Sequence, residues 1–218
     1  MNKEQIRDRI EQIGIIPAIR VSSTEDALFA AEAVSSSGIP IVEVTMTVPG
    51  ASGVISELVR KTPEVVVGAG TVRDLDTARR CLDAGAQFLT SPGLQLELVH
   101  YAVKQGVVVF PGAMTPTEIM AAWNAGADFV KVFPCAPLGG PTYIKSLTYP
   151  FPDVRLIASG GVNQHNAARF IVAGASAIGI GRHLVDPDAI KRRERDWIRE
   201  LSRRYFQMVQ EARIQRAG

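Results

Sequence analysis

The feature that most constrains what this chain can fold into is a succession of eight short, continuous apolar runs separated by helical stretches. The runs are IIPAIRV (15–21), IPIVEVTM (39–46), EVVVGAG (64–70), AQFLTSP (86–92), GVVVFPG (106–112), ADFVKVFP (127–134), VRLIASGG (154–161) and SAIGIG (176–181). They are β-branched and do not alternate apolar with polar, which is how strands covered on both faces of a parallel sheet read. Segments 24–36, 51–61, 73–84, 94–104, 115–125 and 164–173 between them read as helices. Several open with cap chemistry: Ser23 or Thr24 precedes EDALFAAEAV, and Thr115-Pro116 followed by Glu118 has capping-box spacing.

Gly38, Gly85, Gly126 and Gly174 each close a helical segment just before an even-numbered strand, about 40–50 residues apart. TPE and FPD introduce strands 3 and 7 instead, so the unit is two βα modules used four times. This rhythm predicts an α/β chain folded as a (β/α)8 TIM barrel, one domain over residues 1–218. The 46% apolar content of 218 residues suffices for one sizeable core. An open doubly wound sheet is the alternative, and no G-x-G-x-x-G opens a helix after the first strand to support it. The barrel is expected to carry an N-terminal helix and a long C-terminal helix over about 187–216. Ile190, Trp197, Ile198, Leu201, Tyr205 and Met208 recur there at helical spacing, a stripe that packs on the barrel or a neighbour.

With 24 Lys and Arg against 22 Asp and Glu, the chain gives no reason to expect nucleic acid or a membrane surface as a partner. No apolar run approaches the roughly 20 residues that cross a bilayer. The start, MNKEQIRDRIEQIG, is a charged amphipathic helix without a signal-peptide core, and only Cys81 and Cys135 are present, so a cytoplasmic setting is expected. His100, His165 and His183 are scattered and mostly on helical stretches, so neither a metal nor another cofactor is expected.

In this architecture the C-terminal ends of the strands hold the active site. The polar residues there are Arg20, Glu43, Thr45, Thr47, Thr71, Ser91, Lys131 and Ser159, with Gly160, Gly161, Gly179, Gly181 and Arg182. Lys131 is the least expected, because it interrupts an apolar strand. With a period of two it shares a face with Phe129 and Phe133, while Val130 and Val132 face the helices, so the ammonium projects into the barrel. Glu43 projects inward by the same logic. A buried ion pair that fixes packing is one reading. The other is chemical: an apolar collar of Phe129, Phe133 and Pro134 disfavours the charged form of a lysine, and a neutral amine attacks carbonyls. The Schiff base that results stabilises a carbanion at the next carbon, as an aldol cleavage requires. Glu43 is the only acid on the rim able to move protons. Direct contact between the two would favour the ammonium, so this scheme needs a water between them or a shared proton.

The motifs VEVTMTVPGA (42–51), GAGTV (68–72), FLTSPG (88–93), PGAMTPTE (111–118), DFVKVFP (128–134) and SGGV (159–162), in this order from about residue 13 to 186, resemble a known family. It is that of the class I, pyruvate-dependent 2-keto-3-deoxy-6-phosphogluconate aldolases, whose members often also act on 4-hydroxy-2-oxoglutarate. The resemblance implies Lys131 as the Schiff-base lysine and Glu43 as a proton relay through water. It further implies that Thr71 contacts the pyruvate moiety, Pro92 lines the pocket and Phe133 packs on the substrate. A small keto acid as substrate and a homotrimeric assembly are implied as well.

Two positions depart from the family pattern. Thr47 stands where many members carry a carboxylate-binding arginine, and Arg20 on the adjacent strand is its candidate replacement. Gly160, Gly161, Gly179 and Gly181 fit turns that cradle a phosphate with backbone N–H groups. Arg182, however, follows the last strand where a small hydroxyl residue is usual, and it suits either a phosphate or a distal carboxylate. A phosphate-binding isomerase or synthase and a non-catalytic keto-acid binding protein are the alternatives. Cys135 reads as a buried thiol and not a nucleophile, and Lys145 as a solvated helix lysine.

Overall fold

The computed structural model describes residues 1–217, and its strands form at the centres of the apolar runs. They are β1 (Ile15–Ile19), β2 (Ile41–Thr45), β3 (Val66–Gly70), β4 (Phe88–Thr90), β5 (Val108–Phe110), β6 (Gly112–Ala113), β7 (Val130–Val132), β8 (Leu156–Ser159) and β9 (Ala177–Ile180). Every pairing is parallel, in the order β5-β4-β3-β2-β1-β9-β8-β7-β6. The two ends of that order are separated in sequence only by Pro111, so the ring closes through the chain itself. Proline has no N–H for a ladder, while its carbonyl still accepts the Lys131 N–H at 2.9 Å. The expected fifth strand is therefore one barrel position split in two, and the (β/α)8 barrel stands.

The helices are α1 (Lys3–Ile13), α2 (Thr24–Ser35), α3 (Ala51–Lys61), α4 (Leu75–Asp83), α5 (Leu96–Lys104), α6 (Pro116–Asn124), α7 (Pro141–Thr148), α8 (Ala167–Val172), α9 (Pro187–Lys191) and α10 (Arg195–Ala217). Thr115 and Glu118 form the anticipated capping box at α6, and the backbone N–H groups of Met114 and Thr115 hold the Glu118 carboxyl below the usual range. Ser23 caps α2. Among the described residues, no helix is long and apolar enough to cross a membrane.

The C-terminal segment is not one helix. Between α9 and α10 the chain breaks at Arg193, whose φ of 56° lies in the left-handed region. Tertiary contacts hold the break: Arg193 pairs with Glu25 at 2.7 Å and Asp26 at 2.9 Å, and Arg195 with Glu32 at 2.7 Å, all on α2. Helix α10 packs against α2 and α8. Ile190, Ile198, Leu201 and Tyr205 are buried as the stripe predicts, but Trp197 is 47% exposed and points away from the barrel.

Alternation along the strands divides the apolar residues into two sets. Outward side chains such as Val42, Val44, Val130 and Val132 meet the helices. Inward ones form a plug at the strand beginnings, made of Ile16, Ile41, Val66, Phe88, Val108, Phe110, Phe129, Ile157 and Ala177. Helix α1 seals that end with Ile6 and Ile10, anchored by Lys3 on Asp128 at 3.0 Å. Phe88 stacks on Phe110 at 5.1 Å between centroids, and Phe110 meets Phe129 edge-on at 6.1 Å. Each buried ring contributes about 1.5–3 kcal/mol by removal from water.

Candidate active site

One inward step further along the strands, the barrel interior changes character. Above Ile41 comes Glu43, above Phe129 Lys131, above Ile157 Ser159, and above Ala177 Gly179. These residues open into a cavity of about 720 Å³ at the C-terminal mouth. Its lining includes Arg20, Glu43, Thr71, Pro92, Lys131, Phe133, Gly160, Gly161, Gly179, Gly181 and Arg182, every predicted site residue except Thr47.

Strand β7 sets Lys131 by pairing on both sides, with Gly112 and with Ile157, while Val130 and Val132 anchor its opposite face. The side chain is half-buried, and Nζ lies 5.4 Å from the centroid of the Phe133 ring. Glu43, paired in register with Ala18 and Gly68, is 4% exposed. Gly70 makes room for it, since a Cβ there would collide with the carboxylate. Among the described residues Lys131 and Glu43 form no ion pair with each other or with any other side chain. The packing ion pair is thereby excluded, and both functional groups face the same open volume.

At the rim Arg20 donates to Thr71 Oγ1 at 3.1 Å. Thr71 has a φ of 60°, a strained conformation for a β-branched residue, and such strain collects at functional sites. Across the mouth, Gly160 and Gly161 both have φ 85°. A Cβ on Gly160 would stand 2.9 Å from Pro134 Cα, so glycine is required for the turn to pass this close to β7. Arg182 beside them is exposed and has no ion-pair partner among the described residues.

Thr47 lies elsewhere. Strand β2 ends at Thr45, and the turn closed by the Val48 N–H on the Thr45 carbonyl carries Thr47 off the inward face. Its hydroxyl meets that of Thr45 at 2.9 Å and lines a separate pocket of about 210 Å³ with Thr71, Arg73 and Arg80. Ser91 also turns away, donating to the Gly93 carbonyl at 2.7 Å. Lys145 stands exposed on α7 over the Tyr149 ring. Burial pushes the Cys135 thiol up to about 12, so it stays protonated near neutral pH. Residues outside the predicted site set also line the cavity: Ala18, Val162, His183, Val185 and Pro187, of which His183 is the one histidine expected near the rim. Ala18 was legible by alternation with Arg20, whereas Val162, His183 and Val185 come from loops without a periodic signal and Pro187 opens α9.

The family model for the KDPG and KHG aldolases matches residues 6–201. The chain belongs to that family. As an aldolase it is a carbon–carbon lyase of the class I, pyruvate-dependent type. It is 33% identical to the 2-dehydro-3-deoxy-phosphogluconate aldolase of Pseudomonas aeruginosa, over 97% of this chain and 98% of that one. It is 31% identical to the KHG/KDPG aldolase of Escherichia coli strain K12, over 87% and 89%. Among solved structures, the KDPG aldolase of Legionella pneumophila with pyruvate captured at low pH as a covalent carbinolamine matches with a TM-score of 0.85 at 32% identity, covering 91% of this aldolase and 97% of that chain.

Proposed function

We propose that Lys131 is the Schiff-base nucleophile and Glu43 the proton relay of this aldolase. The substrate we assign is a 4-hydroxy-2-keto acid with a second anionic group at its far end, either 2-keto-3-deoxy-6-phosphogluconate or 4-hydroxy-2-oxoglutarate. The observation that carries this reading is an inward amine beside an aromatic ring, unpaired, facing a buried unpaired carboxylate across one cavity.

The amine adds to the C2 carbonyl to give a carbinolamine, and loss of water gives the iminium. Glu43 takes the C4 hydroxyl proton as the C3–C4 bond breaks. The bonding electrons enter the iminium to form an enamine, and the aldehyde leaves as glyceraldehyde 3-phosphate or glyoxylate. Protonation at C3 and hydrolysis then release pyruvate and restore the amine. In this reading Arg20 and Thr71 hold the substrate carboxylate, supported by their hydrogen bond at the cavity rim, and Pro92 and Phe133 are the walls. Gly160, Gly161, Gly179 and Gly181 with Arg182 are the receptor for the distal anion. Thr47, expected in the substrate-binding set, lies outside this cavity and has no part in this reading. The family resemblance further suggests a homotrimer, which sedimentation would test.

The substrate assignment is tested by measuring pyruvate release from the two candidates side by side in wild type and Arg182→Ser. A distal-anion receptor at Arg182 predicts a raised KM for at least one substrate. Unchanged KM for both contradicts it.

A further inference from the structure

Two buried side-chain polar atoms lack any hydrogen-bond partner among the described residues, Thr90 Oγ1 and Arg199 Nε. A fully buried hydroxyl without a partner calls for an explanation. Thr90 follows Phe88 by two residues on β4 and so shares its inward face, one step above the apolar plug. Its carbonyl is already taken by the Val72 N–H at 3.1 Å, which fixes the end of β4 against the turn after β3.

The register Ala69↔Leu89 sets Gly70 beside Thr90 on the neighbouring strand, and the Glu43 carboxylate lies over Gly70. No side chain separates the two from the β3 side. Glu43 is a buried carboxylate that receives no hydrogen bond from the described residues. Other hydroxyls around it are committed: Thr45 donates to the Ile19 carbonyl at 3.0 Å, and Thr71 is bonded to Arg20. The charged and titratable groups sharing the cavity with Glu43 are Arg20 just past β1, Lys131 on β7, and Arg182 and His183 after β9, and β3 contributes only glycine beside it.

We propose that Thr90 is a positioning residue for proton transfer: in the substrate-bound enzyme its hydroxyl donates to the Glu43 carboxylate and sets the orientation of that group. This rests on the reading of Glu43 as the proton relay. A donor to the charged form of a carboxylate favours ionisation and fixes which oxygen faces the substrate. Losing it makes Glu43 both harder to ionise and less well aimed.

The test is the pH dependence of kcat and kcat/KM for wild type, Thr90→Val, Thr90→Ser and Glu43→Gln. Thr90→Val, close in shape, is expected to lower kcat by about tenfold to a hundredfold, the weight of one hydrogen bond to a charged group. It should also move the acid limb of kcat, which reports the substrate-bound enzyme, to higher pH. Thr90→Ser should restore both. A Thr90→Val enzyme with wild-type kcat and acid limb overturns the proposal, as does equal slowing by valine and serine with the acid limb unmoved. Should the valine variant not fold, Thr90→Ala is held to the same criteria. Glu43→Gln separates the two claims: wild-type activity there sinks the assignment of Glu43 itself, whereas an inactive Glu43→Gln beside an unaffected Thr90→Val sinks only the part given to Thr90.

Discussion

Gly68 and Gly70 sit two residues apart on β3, face the same barrel interior, and serve opposite surroundings. A Cβ on Gly68 would run into the Phe88 ring of the apolar plug, while one on Gly70 would run into the Glu43 carboxylate. A single step along the strand thus passes from a layer that stabilises the barrel to a layer that carries out its chemistry. Below, aromatic rings and branched side chains fill the bore. Above, glycines and short side chains leave a cavity into which Lys131 and Glu43 project without neutralising each other. The upper layer can remain open because the lower one, sealed by α1, closes the bore beneath it.

The sharpest way to break this division is Lys131→Ala, which removes the nucleophile without touching the plug. It should lower kcat/KM by at least about 10⁴-fold while leaving the melting temperature close to wild type. Next come the glycines as a pair. Gly70→Ala displaces Glu43 and should cut kcat about a hundredfold, the lower end of what a positioned proton-transfer group supplies. Gly68→Ala overpacks the plug and should cost about 1–3 kcal/mol of stability in a denaturant titration, with the activity of the folded fraction retained. If both alanines damaged activity and stability alike, the two layers would not be separable.

Arg20→Ala tests the rim. Losing one charge-assisted contact to the substrate carboxylate predicts a 10–100-fold fall in kcat/KM, expressed mainly in KM. The smallest effect concerns the buried thiols. Burial raises Cys81 to about 11 and Cys135 to about 12, against 9.0 in their unperturbed state. The unfolded chain therefore loses these protons first as pH rises. Their contribution to stability is complete below pH 9 and is lost progressively from there towards the folded values. Melting temperatures recorded from pH 8 to 11 should fall less steeply in the Cys81→Ala, Cys135→Ala double variant than in wild type.

Much of the molecule was legible in the sequence because its signals are local and periodic. Strands buried on both faces read as continuous apolar runs, and the period of two aims Lys131 inward wherever the strand ends fall. Features that depend on contacts distant in sequence were not legible. The residues from Lys191 to Trp197 contain no glycine or proline to mark a break, and the interruption at Arg193 is held by acidic side chains of α2. Thr47 continues the alternation of Glu43 and Thr45 on paper, but the strand ends before it. Thr90 carries no cue by itself, since a threonine in an apolar strand is ordinary. Only the strand register, which brings it beside Gly70 and Glu43, gives it meaning.

The central claim, that the inward amine of Lys131 condenses with a keto acid, is tested most directly by incubating the enzyme with pyruvate and borohydride and locating the adduct by peptide mass spectrometry. The account predicts one irreversible 1-carboxyethyl addition per chain, on Lys131, with Lys145 unmodified and no adduct in Lys131→Ala. An enzyme that releases pyruvate yet carries no adduct on Lys131, or carries it on another lysine, would contradict the account.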